Sequence, residues 1–274
     1  MRPLRRRRNQ GSRRCPLDSV RNILAIAGKE LRSYFASPIA YVIVGLFALL
    51  FGWFFWVFLR FFVDQSQRMM MMGGGGNMNV NDQMISNLLQ NAAIIILFVV
   101  PMITMRTYSE EKRSGTIELL LTSPVTDLEI ILGKFLGAMA LFVAMLLVTM
   151  IDIAILFRLG NPELRPILAG YLGLLLLGGC FISMGLLMSS LTKNQIVAAV
   201  MTFAVFLMLW VIDWPTDSGG STTRTVIGYL SIVKHLDDFT KGILDTKHII
   251  YYLSFITFGL FLTAKSVDTE RWRG

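Results

Sequence analysis

The chain has 274 residues, of which 54% are hydrophobic and only 16% charged, and it carries a formal net charge of +8. Charges this sparse and this clustered exclude an ordinary water-soluble domain and mark a membrane protein. The positive balance does not point to nucleic acid, because the N-terminal arm supplies most of it beside an apolar run, where topology and anionic lipid account for it.

In chain order, MRPLRRRRNQGSRRCPLD has no apolar period, and residues 1–19 read as a disordered Arg-rich arm. A native start near Val20 would account for the arm. From there Val20, Ile23, Leu24, Ala27, Leu31, Tyr34 and Phe35 recur at helical spacing, with Arg21, Lys29 and Arg32 between them. That pattern predicts a basic amphipathic helix over residues 20–36, lying on the cytoplasmic membrane face. Ser37 and Pro38 suit the cap and first position of the helix that follows.

A bilayer core about 30 Å thick needs about 20 apolar residues in helix to cross it. Six runs qualify, at about 38–62, 88–105, 130–157, 167–191, 196–212 and 249–264. The expected fold is therefore an all-α integral membrane protein with six transmembrane helices over 38–265 and a cytoplasmic tail over 266–274. The first run is too long for a signal peptide and lacks a small-residue cleavage site. Lys and Arg crowd ahead of the first run and are scarce in the loop after it, where Arg68 stands alone, so both termini are expected in the cytoplasm.

The loop after the first span contains MMMMGGGGNMNVND, Met69 to Asp82. Thioethers can hold soft copper, but four successive methionines cannot converge on one ion, and the glycines suit a flexible low-complexity tip. After the fifth run, a Gly219-Gly220 break precedes Ile227, Leu230, Val233, Leu236, Phe239, Ile243 and Leu244, a spacing for short amphipathic helices at the outer mouth of the bundle. His235 and His248 read as isolated surface histidines. Cys15 and Cys180 fall on the arm and inside a span, which indicates no disulfide.

Chemistry at membrane depth is sparse. Asp152 is the main ionisable residue within the spans, and with no second carboxylate or histidine to form a relay, a place near the interface is the expected one. The chain has no G-x-x-x-x-G-K-[ST] loop, so it does not bind ATP by that route. If ATP drives it, a separate subunit supplies the ATP.

The connection from Arg106 to Lys134 is too polar for lipid. Ser109 to Arg113 (SEEKR) extends the second span as helix and Gly115 breaks it. TIELLLT then forms a short helical segment, with Ile117, Leu120 and Leu121 on one face, and Pro124 stops it. Thr126 and Glu129 fit a capping box for the third span, with Val125 and Ile130 as its staple. The leucine face either meets a cytosolic partner or tucks under the bundle.

EEKRSGTIELLLTSPVTDLEIILGK resembles the signature loop of ABC-2 type transporter permeases: a glutamate-rich segment, G-T-[IL]-E-x-L-L, a small-residue-Pro turn and a following G-K. KELRSYFASPIAY and the ending HLDDFTKGILDTKHIIYYLSFITFGLFLTAKSVDTERWR extend the resemblance over nearly all of Val20 to Arg273. It is closest to gliding-motility-associated and nitrous-oxide-maturation type permeases. The resemblance implies a non-enzymatic permease subunit of the bacterial inner membrane, dimerising with itself or a sister permease. Such a subunit pairs with two cytosolic ATPase subunits, which hold the ATP and Mg, and needs no cofactor of its own.

The family's coupling helix maps to Gly115 to Pro124, through Thr116, Ile117, Glu118, Leu120 and Leu121, with Glu110, Glu111, Lys112 and Arg113 orienting the docked ATPase. The interfacial helix, with Arg21, Lys29, Glu30 and Arg32, also touches the ATPase in this reading. The helices at Ile227 to Leu244 would cap the dimer and meet extracytoplasmic accessory proteins. ATP hydrolysis would drive export or mechanotransmission. Two further readings stay open: an ion-coupled secondary carrier dependent on Asp152, and a membrane anchor for an extracytoplasmic assembly.

Overall fold

The computed structural model describes residues 16–72, 80, 84–117, 125–160, 162–212 and 231–271, and these are helical with short connections. Helix α1 spans Pro16–Ala36 and so takes in the last residues of the segment read as an arm. Ser37 closes it and caps α2 (Pro38–Met71): its hydroxyl accepts the Ile39 N–H at 3.4 Å, with Pro38 at the first helical position. No glycine or proline interrupts the chain from Trp53 to Met72, and α2 runs for 34 residues. At 1.5 Å per residue that is about 50 Å, well beyond a ~30 Å hydrocarbon core. Met69 to Met71 are therefore the last turn of a projecting helix and not part of a loop; residues 73–79 lie outside the described residues.

Helix α3 (Ser86–Thr104) has Pro101 in its last turns, which removes the bond to the Leu97 carbonyl, and it ends at Thr104 with the Met105 N–H donating to the Pro101 carbonyl at 3.0 Å. The chain turns through Met105 to Tyr108 and resumes as α4 (Ser109–Ser114), stopped by Gly115 in the left-handed region at φ 73°. The expected capping box opens α5 (Asp127–Leu159): Thr126 Oγ1 accepts the Glu129 N–H at 3.3 Å, and Glu129 Oε2 accepts the Thr126 N–H at 3.1 Å. Thr126→Ala is expected to cost about 1 kcal/mol, read as a lower thermal midpoint of the purified protein.

The remaining helices are α6 (Leu164–Leu191), α7 (Gln195–Val211), α8 (Ile232–Thr240) and α9 (Thr246–Arg271). Among the described residues, five stretches are long and apolar enough to cross a membrane: Pro38–Met71, Ser86–Ser114, Asp127–Leu159, Leu164–Leu191 and Thr246–Glu270. The fifth run expected from the sequence, 196–212, is α7, whose 17 residues fall below that length.

Helix α6 forms the centre, with 72% of its apolar window buried against 22% for α2 and α9. Its glycines explain the position, since small residues let helices approach closely where lipid supplies no hydrophobic drive. Gly170 and Gly173 lie against Leu89 of α3 and Phe239 of α8, Gly178 against Phe142 of α5, and Gly179 against Ile256 of α9. Phe181 stacks on Phe206 of α7 with ring centroids 4.0 Å apart. Cys180 is buried here.

Helix α8 covers the end of the bundle remote from α1. Ser86 Oγ donates to Thr240 Oγ1 at 2.9 Å, Gln90 Nε2 to Asp237 Oδ1 at 2.8 Å, and Tyr252 Oη to the Ile232 carbonyl at 2.9 Å. His235 and His248 are not the isolated surface residues the sequence suggested. Each is buried, and their Nδ1 atoms meet within hydrogen-bond distance, because α8 returns antiparallel to the start of α9 across a short connection.

Candidate functional site

Those of the residues singled out by the sequence that the structure describes lie at the α1 end of the bundle. Helix α1 lies on the first turns of α5 because α5 presents glycines there. A Cβ on Gly133 would stand 2.6 Å from the Ile26 Cβ and 3.1 Å from the Ile23 carbonyl; one on Gly137 would stand 2.7 Å from the Glu30 Cβ and 3.2 Å from the Ala27 carbonyl. Only hydrogen fits at either position. One face of α1 (Ile23, Ala27, Leu31, Tyr34) turns inward, while Val20 and Leu24 stay more than half exposed on an outer stripe suited to a membrane surface.

Between the two glycines sits Lys134, only 1% exposed. Its ammonium donates to Glu30 Oε1 of α1 at 2.9 Å, to Glu111 Oε1 of α4 at 2.8 Å and to the Thr107 carbonyl at 2.9 Å. An ammonium has three N–H donors, so all are used. The Tyr108 ring adds a cation-π contact at 5.0 Å. One buried cation thus joins α1, α4, the turn before α4 and the start of α5.

Further bonds brace the same junction. Tyr34 Oη donates to the Ile103 carbonyl at 3.2 Å and lies 3.3 Å from Thr107 Oγ1. Burial pushes this phenol above its usual range, so it remains a donor. Asn22 Nδ2 reaches Glu129 Oε2 at 3.4 Å, linking α1 to the capping box. Ser189, near the end of α6, accepts the Tyr108 and Ser109 N–H groups at 3.1 Å each and donates to the Met105 carbonyl at 3.0 Å. Lys112 bonds Glu270 Oε1 of α9 at 2.6 Å.

The charged segment Glu110 to Arg113 is therefore divided. Glu111 and Lys112 turn inward and are held by Lys134 and Glu270, so they do not present free charge to a docking partner. Glu110 and Arg113 face outward, Glu110 paired with Arg106 at 2.9 Å. Thr116 is exposed and shares a 2.9 Å hydrogen bond with Ser114, whereas Ile117 is 9% exposed and packs inward. Glu118, Leu120, Leu121 and Pro124 lie outside the described residues. On α1, Arg21, Lys29 and Arg32 are exposed, and Glu30 is the one committed to the interior.

Sequence reasoning had not assigned Lys134, Tyr34, Ser189 or Glu270 to the site. For Lys134 a signal existed: a lysine in an otherwise apolar helix, flanked by glycines at 133 and 137, marks a charge buried where another backbone approaches. Asp152 lies eleven residues beyond Leu141 on α5, half-buried and facing α2, where a Cβ on Gly52 would stand 3.9 Å from its Oδ1.

These bonds tie the connection between two spans to α1, α5, α6 and α9. Residues 24–262 match the family model described as ABC-2 family transporter protein. No curated protein gives a significant match to the chain. With most of its length matched, the chain belongs to the ABC-2 transporter family.

Proposed function

We propose that this ABC-2 family member is the membrane subunit of an ATP-driven exporter or mechanotransmitter whose ATPase is a separate cytosolic protein. The α1 end faces the cytoplasm, and both termini lie there, in the bacterial inner membrane. The buried Lys134 junction carries the reading: a linker that merely connected two spans would not need a desolvated ammonium bonded to three partners. The ATPase docks on the exposed Glu110 and Arg113, on the basic face of α1, and on the segment from Gly115 to Pro124.

Closure of two ATPase subunits on ATP would move this junction as a unit. The sparsely covered α2 and α9 offer lipid-facing or dimer-facing surfaces, and a second copy or a sister permease completes the path. The same mechanism serves export of lipids, glycans or peptides and force transmission without cargo.

Co-expression with an ATP-binding subunit tests the assignment. A stable complex is expected, with ATPase activity stimulated by the membrane subunit. Substituting Glu118 and Leu120 together is expected to abolish that stimulation while leaving the membrane subunit folded; unchanged stimulation would remove the docking assignment. Transport without an ATPase, lost on Asp152→Asn, would instead establish an ion-coupled carrier. An assembly phenotype indifferent to ATPase mutations would establish an anchor.

A further inference from the structure

We infer that His235 and His248 form a proton-binding latch between α8 and α9, which holds with no added proton or one and opens with two. The His235 ring stacks on Tyr251 at a centroid distance of 4.0 Å, and both imidazoles are 4% exposed. Their Nδ1 atoms face each other within hydrogen-bond distance, and His248 Nε2 lies 2.7 Å from Asp238 Oδ2. A contact between two Nδ1 atoms needs one N–H donor and one acceptor.

Protonation states follow from this count. With no added proton, one ring donates through Nδ1 and the other accepts. With one added proton, the pair still has a donor and an acceptor, and the positive charge lies beside the Asp238 carboxylate. With two, an N–H meets an N–H, both rings are cationic, and the positive end of the α9 dipole adds to the repulsion. The ring contact is lost and α8 is loosened against α9, to which the Tyr252–Ile232 hydrogen bond still ties it.

Among the described residues, the surrounding charges leave this role to Asp238. On α8, Asp237 is bound by Gln90 and Lys241, and Lys234 is exposed. In the connection, the hydrogen bond from Lys247 holds the Asp245 carboxyl below its usual range, so Asp245 stays ionised and paired through acidification. From α9, Tyr251 and Tyr252 face the pair. Helices α3 and α6 meet α8 through neutral groups, including Ser86, Gln90, Gly170 and Gly173. The Asp238 side chain is 36% exposed, which gives protons a way in from water.

Amide hydrogen exchange over residues 232–240 of the full chain in lipid nanodiscs tests the latch on acidification from about pH 7.5 to about pH 5.5. After correction for the intrinsic pH dependence of exchange, protection of α8 is expected to fall at least about tenfold on acidification, with α6 unchanged. His235→Asn places a non-titrating amide near the Nδ1 position and is expected to abolish that fall. Unchanged wild-type protection overturns the latch whether or not the variant folds, and so does a variant that loses protection as the wild type does. The latch stands apart from the ATPase assignment, and its failure would leave that assignment intact.

Discussion

Replacing Lys134 by methionine is expected to destabilise the chain by about 3–5 kcal/mol, the usual cost of removing one partner from a buried ion cluster. The methionine fills much the same volume, so packing changes little. What changes is that the Glu30 and Glu111 side chains, only 14% and 18% exposed, lose the cation that faces both of them. Thermal denaturation in nanodiscs reads the loss directly. A midpoint within error of the wild type would show that the ammonium does not hold the junction.

The size of the effect separates this ion cluster from the exposed one beside it. Arg106 and Glu110 form an i,i+4 pair with side chains 26% and 48% exposed, and breaking it is expected to cost no more than about 0.5 kcal/mol. Neutralising the whole buried cluster at once, with Lys134→Met, Glu30→Gln and Glu111→Gln together, is expected to recover most of the stability, because no unpaired charge remains. That triple variant should still fail to couple ATP hydrolysis in the assembled complex. Its stability and its coupling thus report separately on the fold and on the mechanical link.

Much of this architecture was legible because lipid imposes a length on each span and a helix imposes a period on each amphipathic face. The runs around Phe47, Ile96, Phe142 and Leu177 needed no tertiary information. The Thr126-x-x-Glu129 box was local too, since a cap involves only neighbours in sequence. The inward and outward division of Glu110 to Arg113 was not legible. Four adjacent charged residues look equivalent until α5 and α9 are placed, and Lys134 reaches Glu30 across 104 positions in the chain and Glu111 across 23. The histidines failed for the same reason: an isolated histidine in sequence acquires a partner only when α8 folds back against α9. The length of α2 was missed because its polar last turns, Asp64 to Arg68, read as loop although nothing there breaks a helix.

Placing leucine at both Gly133 and Gly137 is expected to detach α1 from α5 and uncouple the protein without unfolding its centre. A Cβ alone at these positions comes within 2.6 and 2.7 Å of α1 side-chain atoms, and the carbonyls of Ile23 and Ala27 lie close behind them. Backbone cannot yield as a flexible side chain can, so α1 must move as a whole. Overpacking typically costs about 1–3 kcal/mol per site, and displacement also draws Glu30 away from Lys134, which adds the loss of that ion pair. Hydrogen exchange is expected to rise across residues 20–36 while α6, on the other side of α5, keeps its protection. Gly28 provides the control, because it lies in the interior of α1 with nothing within 4 Å of a Cβ. Gly28→Ala is expected to be neutral or to stabilise by roughly 0.5–1 kcal/mol through helix propensity. If the two leucines left α1 protected and ATPase coupling intact, close contact between α1 and α5 would not be the route by which force enters the bundle.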